Sequence, residues 1–291
     1  MTQPNLINIM RQVSFTGITA VGAAMVLLIG GIDLSIGSVL AFTGVIAAKV
    51  IIEAGMPPLV GLFAGVGAGM LVGLINGLII TRLHIPALIT TLGTLTIVRG
   101  ISFTLTSGLP VFGFPKEPFL GFEKGVQAVG KGYIGGIPVP VIIMITVFIL
   151  GYIFLYRTYF GRYIYAIGGN AETSRLSGIK VERMQLLVYT LAGLLTGVAG
   201  MIVMGRVNSG QPSIGVGFEL EVITAVVLGG ISIAGGSGSL LGVILGVFIM
   251  GVLSNGLIIL NVSEYNQMVV RGLVLLLAVG IDQLRISARR T

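Results

Sequence analysis

The sequence predicts an all-α protein, a polytopic membrane helix bundle forming one domain over 1–291, with about nine transmembrane helices. Three observations carry that prediction. The chain is 55% hydrophobic and only 9% charged, with a mean hydropathy of +1.06, whereas soluble domains carry roughly 25% charged residues. Its apolar residues gather in runs of ~20, the length that crosses ~30 Å of hydrocarbon. Its 46 glycines suit helices that approach one another closely in a packed bundle. No run shows the ~10-residue period-2 alternation of a membrane β-barrel.

The runs, in order, are 13–31, 36–54, 58–80, 85–107, 137–156, 185–204, 218–236, 239–260 and 264–284. The first two flank Gly30-Gly31-Ile32-Asp33-Leu34-Ser35-Ile36-Gly37-Ser38. A carboxylate at mid-depth costs ~2.5–3.5 kcal/mol or more, so Asp33 marks a functional element. Its glycines interrupt the helix, and a broken helix needs protein or a water-filled cavity beside it. Asp33 and Ser35 can each cap the start of the second helix. The fourth run carries Thr90, Thr91, Thr94 and Thr96, which either line a polar path or bond their own helix backbone. The seventh opens with Glu219 and Glu221, read as a helix cap at the outer surface or as groups meeting a substrate or external partner. Arg99 and Arg271 lie in or near spans four and nine. There they snorkel or pair with a carboxylate, Asp33 being one candidate. Spans six to eight are dense in Gly and could contain breaks.

The net charge of +7 comes from Lys and Arg clustered in short loops, which membrane topology explains better than nucleic-acid binding. Arg157, Arg162, Arg175, Lys180 and Arg183 place the 157–184 loop in the cytoplasm. Arg285, Arg289 and Arg290 do the same for the C-terminus. Four spans separate the two, so the assignments agree. Segment 108–136, where Lys116, Lys124 and Lys131 nearly balance Glu117 and Glu123, falls outside the cell. The same count leaves Met1 outside, so either a further helix precedes it or one early run does not cross. With no Cys and a single His, His84, there is no thiolate metal site and no thiol nucleophile, and a His-based metal site is not expected.

Two segments repeat. Asn76-Gly77-Leu78-Ile79-Ile80 and Asn255-Gly256-Leu257-Ile258-Ile259 are identical, 179 residues apart. Gly30-Gly31-Ile32-Asp33 is echoed by Gly229-Gly230-Ile231-Ser232. The Asn-Gly runs are five spans apart and cross in opposite directions, the pattern of an inverted-topology repeat, which places a substrate path near the repeat interface. In the basic loop, Asn170 can cap a short helix, Glu172 suits its dipole and Gly178 its left-handed stop. A two-turn cytoplasmic helix and a well-capped loop both fit 170–178. Gly235-Gly236-Ser237-Gly238-Ser239 is not a phosphate loop, because no Lys lies in 181–291 to meet the phosphates.

The Gly30–Ser38 segment closely resembles the G-G-I-D-L-S-V-G-S signature of ribose-type monosaccharide permeases of ABC importers, the ribose/xylose/arabinose/galactoside group. Gly168-Gly169-Asn170-Ala171-Glu172 with Ser177-Gly178-Ile179 resembles that family's cytoplasmic coupling loop. Val227-Leu228-Gly229-Gly230 through Ser239, then Asn255-Gly256-Leu257, resembles its C-terminal half. The resemblance runs from about Asn5 to Leu284. It implies a homodimeric permease in the bacterial inner membrane with ten helices per subunit, broadly like the cobalamin importers. Sugar would pass between the subunits, driven by a cytoplasmic ABC ATPase and delivered by an extracytoplasmic sugar-binding protein. Asn170, Ala171, Glu172, Ser174, Arg175, Leu176 and Gly178 would form the ATPase contact. Gly30, Gly31, Asp33, Ser35, Gly229, Gly230, Asn76 and Asn255 would be gating or structural residues, and Thr90, Thr91, Thr94 and Glu219 would border the path. Asp33 then reads as a gating element rather than a sugar ligand. The chain has no covalent chemistry of its own, no cofactor and no metal in this reading, and lacks the family's usual first helix. The alternatives are a permease of the same fold for branched-chain amino acids, nucleosides or a sugar-like signal molecule, and an ion-coupled secondary transporter.

Overall fold

The computed structural model describes residues 3–115 and 125–288. Among the described residues, twelve α-helices carry the fold: α1 Gln3–Leu28, α2 Ile36–Ile52, α3 Pro58–Arg82, α4 Ala87–Thr106, α5 Ala128–Lys131, α6 Val139–Arg157, α7 Tyr159–Gly169, α8 Ala171–Leu176, α9 Val181–Val207, α10 Phe218–Leu228, α11 Leu240–Ile259 and α12 Glu264–Ala288. A two-residue antiparallel hairpin, β1 Tyr133–Ile134 with β2 Ile137–Pro138, precedes α6. Lys116, Glu117, Glu123 and Lys124 of the expected outer segment, and Arg289 and Arg290 of the tail, lie outside the described residues.

Among the described residues, seven helices are long and apolar enough to cross a membrane: α1, α3, α4, α6, α9, α11 and α12. The second run forms a 17-residue helix, about 26 Å at 1.5 Å per residue. The seventh, expected over 218–236, does not continue as one helix. Its helix stops at Leu228 after 11 residues, because Gly229 lies hard against the backbone of Gly242 and Gly230 turns at φ +88°. The chain then runs irregularly over 229–239 before Ser239 Oγ caps α11 from Gly242 N at 3.1 Å.

Helices α1 and α9 form the buried centre, while α4 and α12 lie at the periphery. The two central helices run antiparallel: Phe15 sits beside Arg206, Gly22 against Ala192 and Gly31 against Tyr189. A shift of 179 residues carries the bounds of α1, α2, α3 and α4 close to those of α9, α10, α11 and α12. The packing follows the same rule. α3 lies on α9 as α11 lies on α1, α2 on α4 as α10 on α12, and α2 on α9 as α10 on α1.

Small residues permit the tightest crossing. Gly69 and Gly73 of α3 meet Gly193 and Gly197 of α9 backbone to backbone, which gives the close approach that drives helix association where lipid removes the hydrophobic incentive. A side chain at Gly73 would strike the Tyr189 carbonyl, whereas Gly67 faces open space. Gly73→Leu is therefore expected to lower stability by about 1–3 kcal/mol and to reduce the yield of inserted protein. Gly67→Ala should leave both unchanged, and thermal melts of the detergent-solubilised chain read the difference.

Candidate functional site

The residues that the sequence singles out gather where helices break. Segment 29–35 joins α1 to α2. Gly30 takes φ +81°, and Gly31 has no room for a side chain under the Tyr189 hydroxyl. Asp33 is buried, and its Oδ1 accepts from Ser35 N at 2.9 Å and Ser35 Oγ at 2.6 Å. Ser35 occupies the cap position of α2 but makes no side-chain cap bond. Its hydroxyl instead donates to Asp33 and accepts from Asn76 Nδ2 at 3.1 Å. Thr94 Oγ1 donates to Asn76 Oδ1 at 2.6 Å, and Thr91 Oγ1 to the Ile32 carbonyl at 3.3 Å. The chain Asp33–Ser35–Asn76–Thr94 thus ties the break to α3 and α4 in apolar surroundings, where an unpaired polar group is costly. Thr90 Oγ1 is buried without a partner among the described residues, and so is the Tyr189 hydroxyl above Gly31.

A second irregular segment, 208–217, approaches the first. Gly215 and Gly37 touch backbone to backbone, with the Glu219 carboxylate alongside. Arg99 does not reach Asp33. Its Nη1 donates to the carbonyls of Pro212 at 2.8 Å and Ile214 at 2.5 Å, pinning this segment. Glu219 is half-buried, and its Oε2 finds no partner among the described residues. Glu221 is not an outer-surface cap: it is buried and paired with Arg271 of α12 at 3.1 Å.

The third irregular segment, 229–239, is held by Asp282 of α12, whose Oδ2 accepts from Ser232 Oγ at 3.1 Å and Ile233 N at 3.3 Å. Gly236 N donates to the Leu28 carbonyl at 2.9 Å, and Tyr165 of α7 donates to the Gly238 carbonyl at 3.0 Å. This segment therefore joins the end of α1 to α7. Gly229 and Gly230 belong here, and Gly235 of the same segment lies against the backbone of Gly30. Asn255, despite its repeat with Asn76, bonds Asn5 Oδ1 at 3.0 Å instead of joining the Asp33 chain.

The basic loop folds as α7 and α8. Asn170 Oδ1 caps α8 from Thr173 N at 2.8 Å, and Gly178 ends it at φ +85°. Ala171 opens the helix. The buried Ser174 hydroxyl donates to the Asn170 carbonyl at 2.8 Å. Arg175 bridges Glu172 at 3.0 Å and Glu182 at 2.6 Å, and these two carboxylates hold its guanidinium above its ordinary value. Leu176 is 81% exposed, so a six-residue helix offers an apolar tip beside a fixed ion-pair triad. Reasoning from sequence missed Tyr189, Arg206 and Asp282. A charge within or at the end of an apolar run was the available signal for the last two.

The chain matches the model of the branched-chain amino acid transport system / permease component family over residues 5–279. It is 44% identical over 279 residues to the ribose import permease protein of Bacillus subtilis (strain 168), covering 96% of this chain and 84% of that one. It is 44% identical over 282 residues to the ribose import permease protein of Escherichia coli (strain K12), covering 96% and 85%. The L-arabinose transport system permease protein of the same organism is 40% identical over 279 residues, covering 96% and 82%. No solved structure matches.

Two substitutions test the polar connections. Asn76→Ala leaves Ser35 and Thr94 short of a partner and is expected to cost about 1–3 kcal/mol. Adding Thr94→Ala should cost less than its effect alone, a non-additivity that a double-mutant cycle reads. Arg271→Ala strands a buried carboxylate and is expected to cost about 3–5 kcal/mol. Adding Glu221→Gln should recover part of that loss in the same melts.

Proposed function

The chain belongs to the branched-chain amino acid transport system / permease component family, and from that membership we propose that it is the membrane-spanning subunit of an ATP-driven importer carrying a monosaccharide across a bacterial inner membrane. The observation that carries this reading is 44% identity to ribose import permeases along 96% of the chain. Arabinose permease similarity at 40% keeps the substrate class at aldoses rather than one sugar. The chain is a transport component, not an enzyme. ATP is hydrolysed by a separate cytoplasmic subunit, and an extracytoplasmic binding protein delivers the sugar.

The arrangement is read as nine crossings, seven by full helices and two by α2 and α10 with their irregular flanks, in a bundle like that of the cobalamin importers. α1–α4 and α9–α12 are the two units of an inverted-topology repeat, supported by the antiparallel α1 and α9. The loop carrying α7 and α8 and the C-terminus face the cytoplasm, and 108–136 faces outward. α4 and α12, exposed and apolar, supply the surface of a homodimer with the sugar path between subunits. Asn170, Glu172, Arg175, Leu176 and Gly178 make the α8 contact with the ATPase. Movement of α8 reaches the gate through α7, whose Tyr165 holds 229–239, and through the Leu28–Gly236 bond to the Asp33 break. Nucleotide and sugar each shift this equilibrium only by their differential affinity for its two states.

Uptake of labelled D-ribose and L-arabinose by proteoliposomes holding the permease, its ATPase and its binding protein tests the reading. Uptake should require ATP and persist without an ion gradient. Uptake driven by an ion gradient without the ATPase, or uptake of leucine instead of sugar, would refute it. Glu172→Lys and Gly178→Arg should sharply reduce ATPase co-purification and uptake at normal membrane levels. Asp33→Asn should slow transport or lower expression without changing sugar preference, as competition between the two labelled sugars will measure.

A further inference from the structure

The half of the bundle away from α8 holds a cavity of about 390 Å³ between α1, α9, α12 and the start of α10. That volume lies within the range of small-molecule pockets, roughly 300–1,000 Å³. Its wall includes Phe15, Arg206, Val216, Phe218, Glu221 and Arg271. Two other cavities of similar size, one between α1, α6 and α11 and one between α1, α6, α7 and α9, have no charged side chain in their walls. The polar groups here are unequally matched. Arg271 is paired with Glu221, yet its Nε is buried without a hydrogen-bond partner among the described residues. Arg206 makes no ion pair among the described residues. Its guanidinium lies 6.0 Å from the centre of the Phe15 ring, and Phe15 in turn packs on Phe218 at 5.7 Å.

The wall thus combines a forked donor not used in an ion pair, a carboxylate acceptor and an aromatic surface. A sugar ring presents the complement: vicinal hydroxyls that accept from a guanidinium and donate to a carboxylate, and a C–H face that packs on an aromatic ring. We propose that this cavity, one wall of which is α12, is a monosaccharide subsite bordering the import path between subunits, with Arg206 and Arg271 donating to ring hydroxyls, Glu221 accepting from one, and Phe218 covering the apolar face. This rests on the reading of the chain as a sugar permease. A waypoint on a conduction path must bind well enough to admit the substrate and weakly enough to release it. A single open fork beside an already paired Arg and Glu meets both demands.

The chain has no cysteine, so Val216→Cys places one thiol in the cavity wall without removing a proposed ligand. In proteoliposomes holding the complete importer, D-ribose or L-arabinose should slow alkylation of this thiol by a water-soluble maleimide several-fold. Leucine should not, and a thiol at Leu109→Cys, on the exposed 108–115 stretch, should react equally with and without sugar. Adding Arg206→Gln should abolish the protection, and Arg206→Lys, which keeps the charge but loses the fork, should weaken it. Labelling of Val216→Cys that ignores both sugars while uptake proceeds overturns the subsite and leaves the permease reading standing. So does protection that survives Arg206→Gln unchanged, or protection by leucine alone. An importer that takes up neither sugar overturns the reading on which the subsite rests.

Discussion

Inside a bilayer a backbone that leaves the helix must find its hydrogen bonds within the protein, because lipid supplies none. Among the described residues, three segments between its apolar helices leave the helix where buried polar groups gather, at 29–35, 208–217 and 229–239. At each place a charged side chain takes the part of water. Asp33 accepts from the backbone and hydroxyl of Ser35. Arg99 donates to the carbonyls of Pro212 and Ile214, and Asp282 accepts from Ser232 and Ile233. The rest of the bundle depends on these clamps. They let α2 and α10 begin and end beside other helices, and they bring Gly215 of the second segment against Gly37 in the first turn of α2.

Glycine makes the second contribution. The α3–α9 crossing closes to backbone contact through Gly69, Gly73, Gly193 and Gly197, and α11 approaches α1 where Gly251 meets Val13. These crossings bury α1 and α9 on nearly every side. A buried centre is what allows carboxylates and guanidiniums to sit in the bundle at all, since each finds protein rather than lipid around it. The exposed faces of α4 and α12 are mostly apolar, with Leu92, Ile97 and Ile101 on one and Leu273, Leu276 and Leu277 on the other.

Much of this was legible in the residues. Seven of the nine apolar runs correspond to full-length helices because length and hydropathy depend on composition alone. Asn170 and Gly178 announced the bounds of α8 because capping is local: the cap reaches three residues and the stop needs only a positive φ. The Gly-Gly-Ile-Asp break was legible for the same reason. In the seventh run the glycines allowed a break but did not place it, because nothing in 218–236 itself shows that Gly229 will be pressed onto Gly242 of the next helix. The pairing of charges was also hidden. Asp33 was a candidate partner for Arg99 and Arg271, yet the arginines serve two carbonyls and Glu221. Which charge faces which depends on how helices far apart in sequence are rotated against one another.

Asn76 and Asn255 draw the same line. The sequence by itself determined the class of the protein, seven of its apolar helices, its repeated Asn-Gly segments and the capping residues Asn170 and Gly178, since each follows from hydropathy, spacing or a bond within a few residues. Only the tertiary structure decided that Asn76 joins Ser35 and Thr94 in the Asp33 chain while Asn255, in an identical pentapeptide, bonds Asn5. It alone decided too that Arg206, Glu221, Arg271 and Phe218 share one cavity. Those meetings are made by packing between helices, and the same local sequence finds different neighbours in the two halves of the bundle.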